Sequence, residues 1–565
     1  MYKTSLMRKQ LLLLSAVLSL LITLSACHSM PEHAKFIPKD ATGVLSVDVT
    51  AMGKKIAWSA ITGSKIFDEW KARPQQKDAV KGLDKAGIDY LNTLYLYTQK
   101  DDRFGNDQKI VALLPLDDAT QWETFLKSNF PAASIKDQGK RKEAAINENS
   151  YAGWDKHLLV IVYATAPNNA PVYLENSDDS LNIPVQPVPA IDAATFSAEM
   201  EKAFNIAKDN MLVENKHFTA LQKEGHDIAV WVNYEAAMSD YMTKGAGSAT
   251  GLSFSNSLWK DAALTAGLDF NKGAIKSDMK YYMPVELQDI GRELGAANVD
   301  KELVEKLPTD NLDMITAMHL SPKGIKAVLE KTGLLGLVNV GLASQNLSVD
   351  DVLNAFSGDM GFAMNNFNIE TTVSSDSSSG EYTTRADYVY VLKINKKENF
   401  EKLLQLAVSS QVIHTSGNNT YTLINGGAGA PVLIVGDKYA VVSNNAANAN
   451  AYLSNKGSGK LPELAASSVK GHPLGMYIDI QQMVKNVNPG MENTGLDSAM
   501  LAEAQKLLDN IAMSGGEFKN NAFQWSMSAN FMNKEENSLI QILNFAIHFE
   551  DSKNKGLSAY NGKMY

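Results

Sequence analysis

Two stretches of this chain carry the same turn and the same strand. Gly225-His226-Asp227 leads into Ile228–Asn233, and Gly471-His472-Pro473 leads into Leu474–Asp479, at one offset (471 − 225 = 246, 479 − 233 = 246). Self-similarity at a fixed period restricts a fold more than composition does, because each copy must bury the same faces. Further matches follow in the same order. Ile37-Pro38-Lys39-Asp40 precedes an apolar run at Val44–Val49, and Leu307-Pro308-Thr309-Asp310 precedes one at Met314–Leu320 (308 − 38 = 270). Ile110–Leu116 followed by Trp122-Glu123 matches Tyr388–Ile394 followed by Phe400-Glu401 (388 − 110 = 278). Asp155-Lys156-His157 pairs with Asp437-Lys438-Tyr439 (437 − 155 = 282). A slowly drifting offset is what loop insertions between shared elements produce.

Within each copy the pattern predicts strand, helix, hairpin, helix, strand. In the first these are Val44–Val49, helical sequence to about Leu83, the hairpin Leu91–Thr98 with Ile110–Leu116, a helix from Asp118 and the strand Leu158–Tyr163. In the second, Ser321 as N-cap, Pro322 at the first helical position and Gly333 as a left-handed stop frame a helix after Met314–Leu320. A hairpin of Gly361–Asn368 with Asp387–Ile394 follows. This β-α-β-β-α-β order is that of the ferredoxin-like, split β-α-β arrangement. The expected class is therefore α+β, internally duplicated, with antiparallel sheets and helices on one face. Each half adds a smaller β-α-β-β-α unit, from Ile228 through Leu294 and from Leu474 through Phe545. The boundaries read as 1–26, 27–35, 36–300, 301–550 and a tail at 551–565. Within the first half, the Pro-rich stretch Ala166–Ile191 reads as an extended connection. Asp192 then caps an amphipathic helix bearing Phe196, Met200, Ala203 and Phe204.

The N-terminus sets the address. Lys3, Arg8 and Lys9 precede an apolar run, Leu11–Leu24, and then Leu24-Ser25-Ala26-Cys27. A charged start, a short apolar stretch and small residues before a cleavage point are the parts of an export signal. The run is shorter than the ~20 apolar residues a spanning helix needs. The four residues ending at Cys27 resemble the lipobox of bacterial lipoproteins, which implies cleavage before Cys27 and lipidation of its thiol. Cys27 is also the only cysteine, so no intramolecular disulfide can form. A short polar tether, His28–Lys35, follows, and its two histidines, His28 and His33, read as spacer rather than metal ligands. Glu32 is the single acid of this tether, which points to the periplasmic side of the outer membrane.

Charge narrows the partners. The formal net charge is −10, and loss of three basic residues with the signal makes the mature chain −13 (−10 − 3). Such a chain is repelled by nucleic acid and by anionic head groups. Nucleic acid is excluded as a partner, and membrane attachment rests on the lipid. An envelope protein or glycan remains as partner.

No cofactor, metal-binding or catalytic constellation emerges. Ser467-Ser468-Val469-Lys470, Ser443-Asn444-Asn445 and Lys331-Thr332-Gly333 have the spacings of the penicillin-binding proteins but in reversed order. Asp101-Asp102 with Gly105-Asn106-Asp107 misses the EF-hand pattern and reads as an acidic hairpin tip. Gly245-Ala246-Gly247 with Gly251 lacks the context of a phosphate loop, and Gly426–Gly429 reads as a turn. The duplicated His226 and His472 read as structural turn residues. Trp122 and Trp231, matched by Phe400 and Tyr477, read as core, while Trp58, Trp70 and Trp154 are candidates for a sugar-stacking surface.

The signal, the lipobox, the Pro-x-Asp-Ala sequence at Pro38–Ala41 and the duplicated units together resemble a family of Bacteroidota lipoproteins known only as a domain of unknown function. The resemblance implies an envelope location and supplies no activity. The expected function is a non-enzymatic binding or scaffold lipoprotein, with a hydrolase of an envelope polymer or glycan as the alternative. Divergence between the copies is largest at the hairpin tips, acidic at Lys100–Gln108 and Ser-rich at Thr371–Thr384. One of these tips, or the groove between lobes, is a candidate contact surface, the alternative for the Ser-rich tip being a disordered insertion.

Overall fold

Alternating apolar and polar residues build antiparallel sheet in both units into which the chain divides. Residues 1–54, 70–237 and 263–268 form the first, and 55–69, 238–262 and 269–565 the second. The structure, a computed structural model, describes residues 30–55, 82, 85–100, 108–147, 149–164, 192–237, 259–372, 381–424, 430–455, 459–485 and 505–546. Cys27 and His28, Trp58 and Trp70, the acidic tip at 101–107, the Pro-rich connection, the Gly245–Gly251 stretch, the Ser-rich tip at 373–380, Gly426–Gly429 and the tail lie outside these residues.

In the first unit the strands are β1 (Ala41–Asp48), β2 (Thr93–Lys100), β3 (Gln108–Pro115), β4 (Lys136–Asp137), β5 (Lys142–Asn147), β6 (Ser150–Trp154), β7 (Leu158–Ala164), β8 (Ile228–Asn233) and β9 (Ala263–Asn271), the last contributing residues 263–268. They pair antiparallel in the order β9–β8–β1–β2–β3–β7–β6–β5–β4. Helix α1 (Ala119–Asn129) is capped by Asp118, whose carboxylate accepts from the N–H of Thr120 and Gln121. It buries Trp122, Phe125 and Leu126 against Trp154, Leu159 and Ala152. Helix α2 (Ala193–Phe204) is capped by Asp192.

In the second unit the strands are β10 (Ala274–Tyr282), β11 (Leu312–His319), β12 (Phe356–Thr372), β13 (Glu381–Ile394), β14 (Ile413–Gly417), β15 (Thr420–Leu423), β16 (Val432–Val435), β17 (Tyr439–Ser443), β18 (Leu474–Asp479), β19 (Leu508–Lys519) and β20 (Ala522–Phe531). Their order is β10–β20–β19–β18–β11–β12–β13–β17–β16–β15–β14, again antiparallel throughout. Between β11 and β12 lie α3 (Pro322–Lys331), α4 (Leu334–Ala343) and α5 (Val349–Ala355); α6 (Lys397–Ser409), α7 (Ala446–Leu453) and α8 (Glu463–Val469) follow. Ser321 caps α3 and Gly333 takes a left-handed φ of 73° at its end. The core gathers Leu303, Ile315, Val389, Val391, Val441 and Tyr477. The class is α+β with antiparallel sheets.

From β9 to β4 and from β19 to β14 the two orders are the same, and so are the registers. Val44 faces Trp231 on one side and Tyr97 on the other, while Ile315 faces Tyr477 and Ala363. Val111 faces Tyr97 and Val162; Val389 faces Ala363 and Ser443. Each strand thus maps with its own offset, and the offsets agree from one pairing to the next.

Several expectations need correction. The split β-α-β topology is not formed, because β1 pairs directly and antiparallel with β2 and β8, and the closing strand β7 pairs antiparallel with β3. Sequential strands joined without a parallel crossover lie side by side. Between Pro308 and Leu312 the second unit holds one residue more than the first does between Pro38 and Ala41, Asn311, in a left-handed turn (φ 49°), so β11 maps on β1 at 271 (315 − 44). The Asp-Lys match at 282 also slips by one. The turn closed by Asp155 N–H to the carbonyl of Leu158 corresponds to that from Gly436 N–H to Tyr439 (436 − 155 = 281). A strand slipped by one residue would turn its apolar face to water, so burial overrides identity. The tether is shorter than expected, since Glu32–Phe36 forms a 3-10 helix. His33 is buried there, its Nε2 2.7 Å from the carbonyl of Thr93, and burial lowers its pKa. Trp154 is core rather than surface, edge-on to Trp122.

Candidate functional site

A cleft opens in the first unit where α2 crosses the sheet. Helix α2 presents Phe196, Glu199, Met200 and Ala203 inward, a stripe at spacings of three and four. Phe196 stacks on Tyr151 at 5.4 Å between centroids. Gly153 on β6 lets the helix approach, since a Cβ there would stand 2.6 Å from Met200 Sδ. Glu143, fully buried on β5, takes hydrogen bonds from Arg141 Nε (2.8 Å), Ser197 Oγ (2.7 Å) and Tyr151 OH (3.2 Å). Burial, then Glu143, pushes the Tyr151 hydroxyl up to about 12.

Beyond this anchor the helix and sheet separate around a cavity of about 710 Å³, a size suited to small molecules. Tyr97, Lys109, Val111 and Val162 are among its strand residues and Glu199, Lys202 and Ala203 its helix residues, with Lys39, Asp40 and Lys100 also in the lining. The 208–212 segment is stitched to the start of β1, Lys39 N–H donating to Asn210 (2.7 Å) and Leu212 N–H to Ile37 (2.8 Å). Gln99 Nε2 donates to both carboxylate oxygens of Asp40 at 2.8 Å.

The chemistry centres on Lys109 and Glu199, which form an ion pair although they are only 5% and 2% exposed. The other oxygen of Glu199 accepts from Lys202 Nζ at 2.9 Å. Burial, reinforced by the Glu199 charge, raises the pKa of Tyr97 and keeps its phenol neutral. Four lysines and two carboxylates line the cavity, a formal +2 (4 − 2) in a chain of −10.

The same place in the second unit is nearly closed. Its cavity, about 180 Å³, is lined by Pro308, Asp310, Asn365, Asn366, Asp387, Asn448, Ala451 and Tyr452 among others. By register, Asn365 answers to Gln99 (365 − 99 = 266) and Asp387 to Lys109 (387 − 109 = 278). On the helix, 448 − 199, 451 − 202 and 452 − 203 all give 249, which sets Asn448, Ala451 and Tyr452 against Glu199, Lys202 and Ala203. The ion pair has no equivalent there. Tyr452 instead occupies the position of Ala203, donates to the carbonyl of Leu303 (3.1 Å) and packs edge-on to Tyr439.

The residues singled out from sequence alone take structural parts. Ser468 Oγ donates to the Leu464 carbonyl (2.7 Å), and Lys470 pairs with Glu305 at 3.1 Å. Ser443 Oγ donates to the Tyr388 carbonyl (2.6 Å), Asn445 caps α7 and Thr332 Oγ1 donates to Val328 (2.8 Å). His226 lies 3.2 Å from Glu224 and against Gly267, and His472 lies 2.6 Å from Glu517. Among the described residues no group of three His, Cys, Asp or Glu is arranged for a metal.

No protein family and no curated protein matches the chain. Among solved structures it is similar to TP0453 in crystal forms III and IV, at 8% and 10% identity. The overlap covers 48% of this chain and 89% and 88% of those chains, with a TM-score of 0.25 for each. A likeness at that level bears on neither fold nor function.

Proposed function

We propose that this chain is an internally duplicated envelope lipoprotein, tethered through Cys27 and facing the periplasm from the outer membrane, that binds a small anionic ligand in the first-unit cleft. The carrying observation is the contrast between copies: one position in the fold holds a wide cleft lined by four lysines in one unit, and in the other a small cavity narrowed by Tyr452 and lined by a single lysine, Lys306. Shared packing needs explain what the copies keep, and they do not explain a cavity of about 710 Å³ in one unit against about 180 Å³ in the other. Lys39, Lys100 and Lys202 would hold a carboxylate or phosphate, while Val111, Val162 and Ala203 cover an apolar portion.

The alternative is a hydrolase of an envelope polymer or glycan, favoured by the buried acid and ammonium in that cleft. Against it, both Glu199 oxygens are already engaged by lysines. Calorimetry with octanoate, and with octanol as the uncharged control, tests the binding reading. Saturable octanoate binding that Ala203→Tyr abolishes supports it; no octanoate binding, or equal binding by that variant, refutes it.

A further inference from the structure

We infer that α4 is a lipid-contacting helix, which seats the second unit on the bilayer surface. The sequence from Thr332 to Val349 holds no ionisable residue. Gly333, Gly336, Leu337, Val340, Gly341 and Ser344 are exposed, a stripe at the helical spacing. Leu337 is 61% and Val340 73% exposed. The opposite face, with Leu335, Val338 and Leu342, is partly covered, and α4 packs against α3 and α5. Asn339, the one polar side chain of the helix, is spent internally: its Oδ1 accepts from Val349 N–H at 2.9 Å. A Cβ on Gly336 or Gly341 would meet nothing within 4 Å, so close packing inside the chain does not account for these glycines.

A ten-residue helix is ~15 Å long and ~10 Å wide, so its outer face is on the order of 150 Å². A stable protein dimer needs ~800 Å² from each partner, which rules out a second copy as the occupant of this face alone. A bilayer makes no such demand on a chain already held to it, because tethering turns a weak contact into an intramolecular one. The helix satisfies its own backbone and brings no charge into hydrocarbon. It is too short to span, and the depth open to it is the ~5–10 Å of an interfacial helix.

The setting rests on the lipoprotein reading, and the test does not. Cys27 is the only thiol, so the chain from Cys27 onward is coupled to a maleimide lipid in phosphatidylcholine vesicles, whatever happens to that cysteine in the cell. The vesicles carry a phospholipid with a photoactivatable diazirine in its acyl chain, and adducts are mapped by mass spectrometry. Labelling of the 334–343 peptide is expected to exceed that of the peptide carrying Leu91, an exposed apolar residue of the first unit (65%), by at least about fivefold. Leu337→Ser with Val340→Ser should bring it to the Leu91 level, and Leu337→Ala, a gentler change, part of the way, with circular dichroism unchanged. Equal labelling of the two peptides in the unmodified sequence overturns the inference. So does an untethered chain that sediments as a dimer, if the same double variant makes it monomeric. Acylation itself is judged separately, by the fractionation of Cys27→Ala.

Discussion

Removing Glu199 should cost more than removing Lys109, although the two form one ion pair. Glu199→Leu leaves the Lys109 ammonium beneath α2 without that carboxylate, and breaking a buried pair from one side costs ~3–5 kcal/mol. Lys109→Met leaves Glu199 with Lys202, whose side chain reaches solvent, so the loss falls to ~1.5–3 kcal/mol, the scale of one hydrogen bond to a charged group. The double variant should return to within ~1 kcal/mol of the parent, because apolar replacement of a whole buried pair is often neutral or stabilising. Urea denaturation followed by tryptophan fluorescence suits the question, since Trp122, Trp154 and Trp231 are all buried in the first unit. At ~2 kcal/mol per molar urea, Glu199→Leu moves the midpoint by about 2 M. A double variant no more stable than Glu199→Leu would refute the pairing argument, as would a Glu199→Leu loss below ~1 kcal/mol.

Asp313 is fully buried, with one oxygen accepting from Phe367 N–H at 2.6 Å and the other unpartnered; burial, then Asp479, raises its pKa. A carboxyl whose folded pKa lies above its unfolded one loses stability as pH rises past the ordinary range. Asp313→Asn should therefore raise the melting temperature at neutral pH and have little effect below about pH 4; a gain of equal size at both would contradict this. Gly153→Ala drives a Cβ to 2.6 Å from buried Met200 and should cost ~1–3 kcal/mol in the same urea assay. Met200→Ala in that background should recover part of the cost, and an additive loss would show that the contact is not the cause. Cys27→Ala should leave the chain unacylated and in the soluble fraction, and unchanged membrane fractionation would remove the tether from the proposal.

The sheet was largely legible because its strands are apolar and bounded by turns. The predicted Ile228–Asn233 and Leu474–Asp479 are the observed β8 and β18. Asp118, Asp192 and Ser321 cap the helices that their spacing announces. Strands β4 to β6 and β14 escaped because they are short, and Lys142–Asn147 gives too few alternations to stand out. The cleft escaped for a different reason. Lys109 is in phase with Val111 and Leu113 on β3, and Glu199 is in phase with Phe196, Met200 and Ala203 on α2. Each is a charge set in an apolar stripe, and two such charges of opposite sign were the available signal. Only the fold brings them together across 90 residues. Helix α4 hid in the open, as an apolar run that resembles a buried segment until its neighbours are known.

Matched registers also make the chain a hazard to itself while it folds. Strand β1 must wait for β8 to arrive, a contact such as Ser46 Oγ to the Ala229 carbonyl spanning 183 residues. If the chain is released before it folds, β18 offers β1 a groove of the same length and direction. The substitute would set Val44 opposite Tyr477 in place of Trp231, a small change in a pairing whose backbone hydrogen bonds are identical. Mispairing between like repeats is a recognised trap. Emergence of the chain in order during synthesis, first half before second, lets β8 claim its partner before β18 exists.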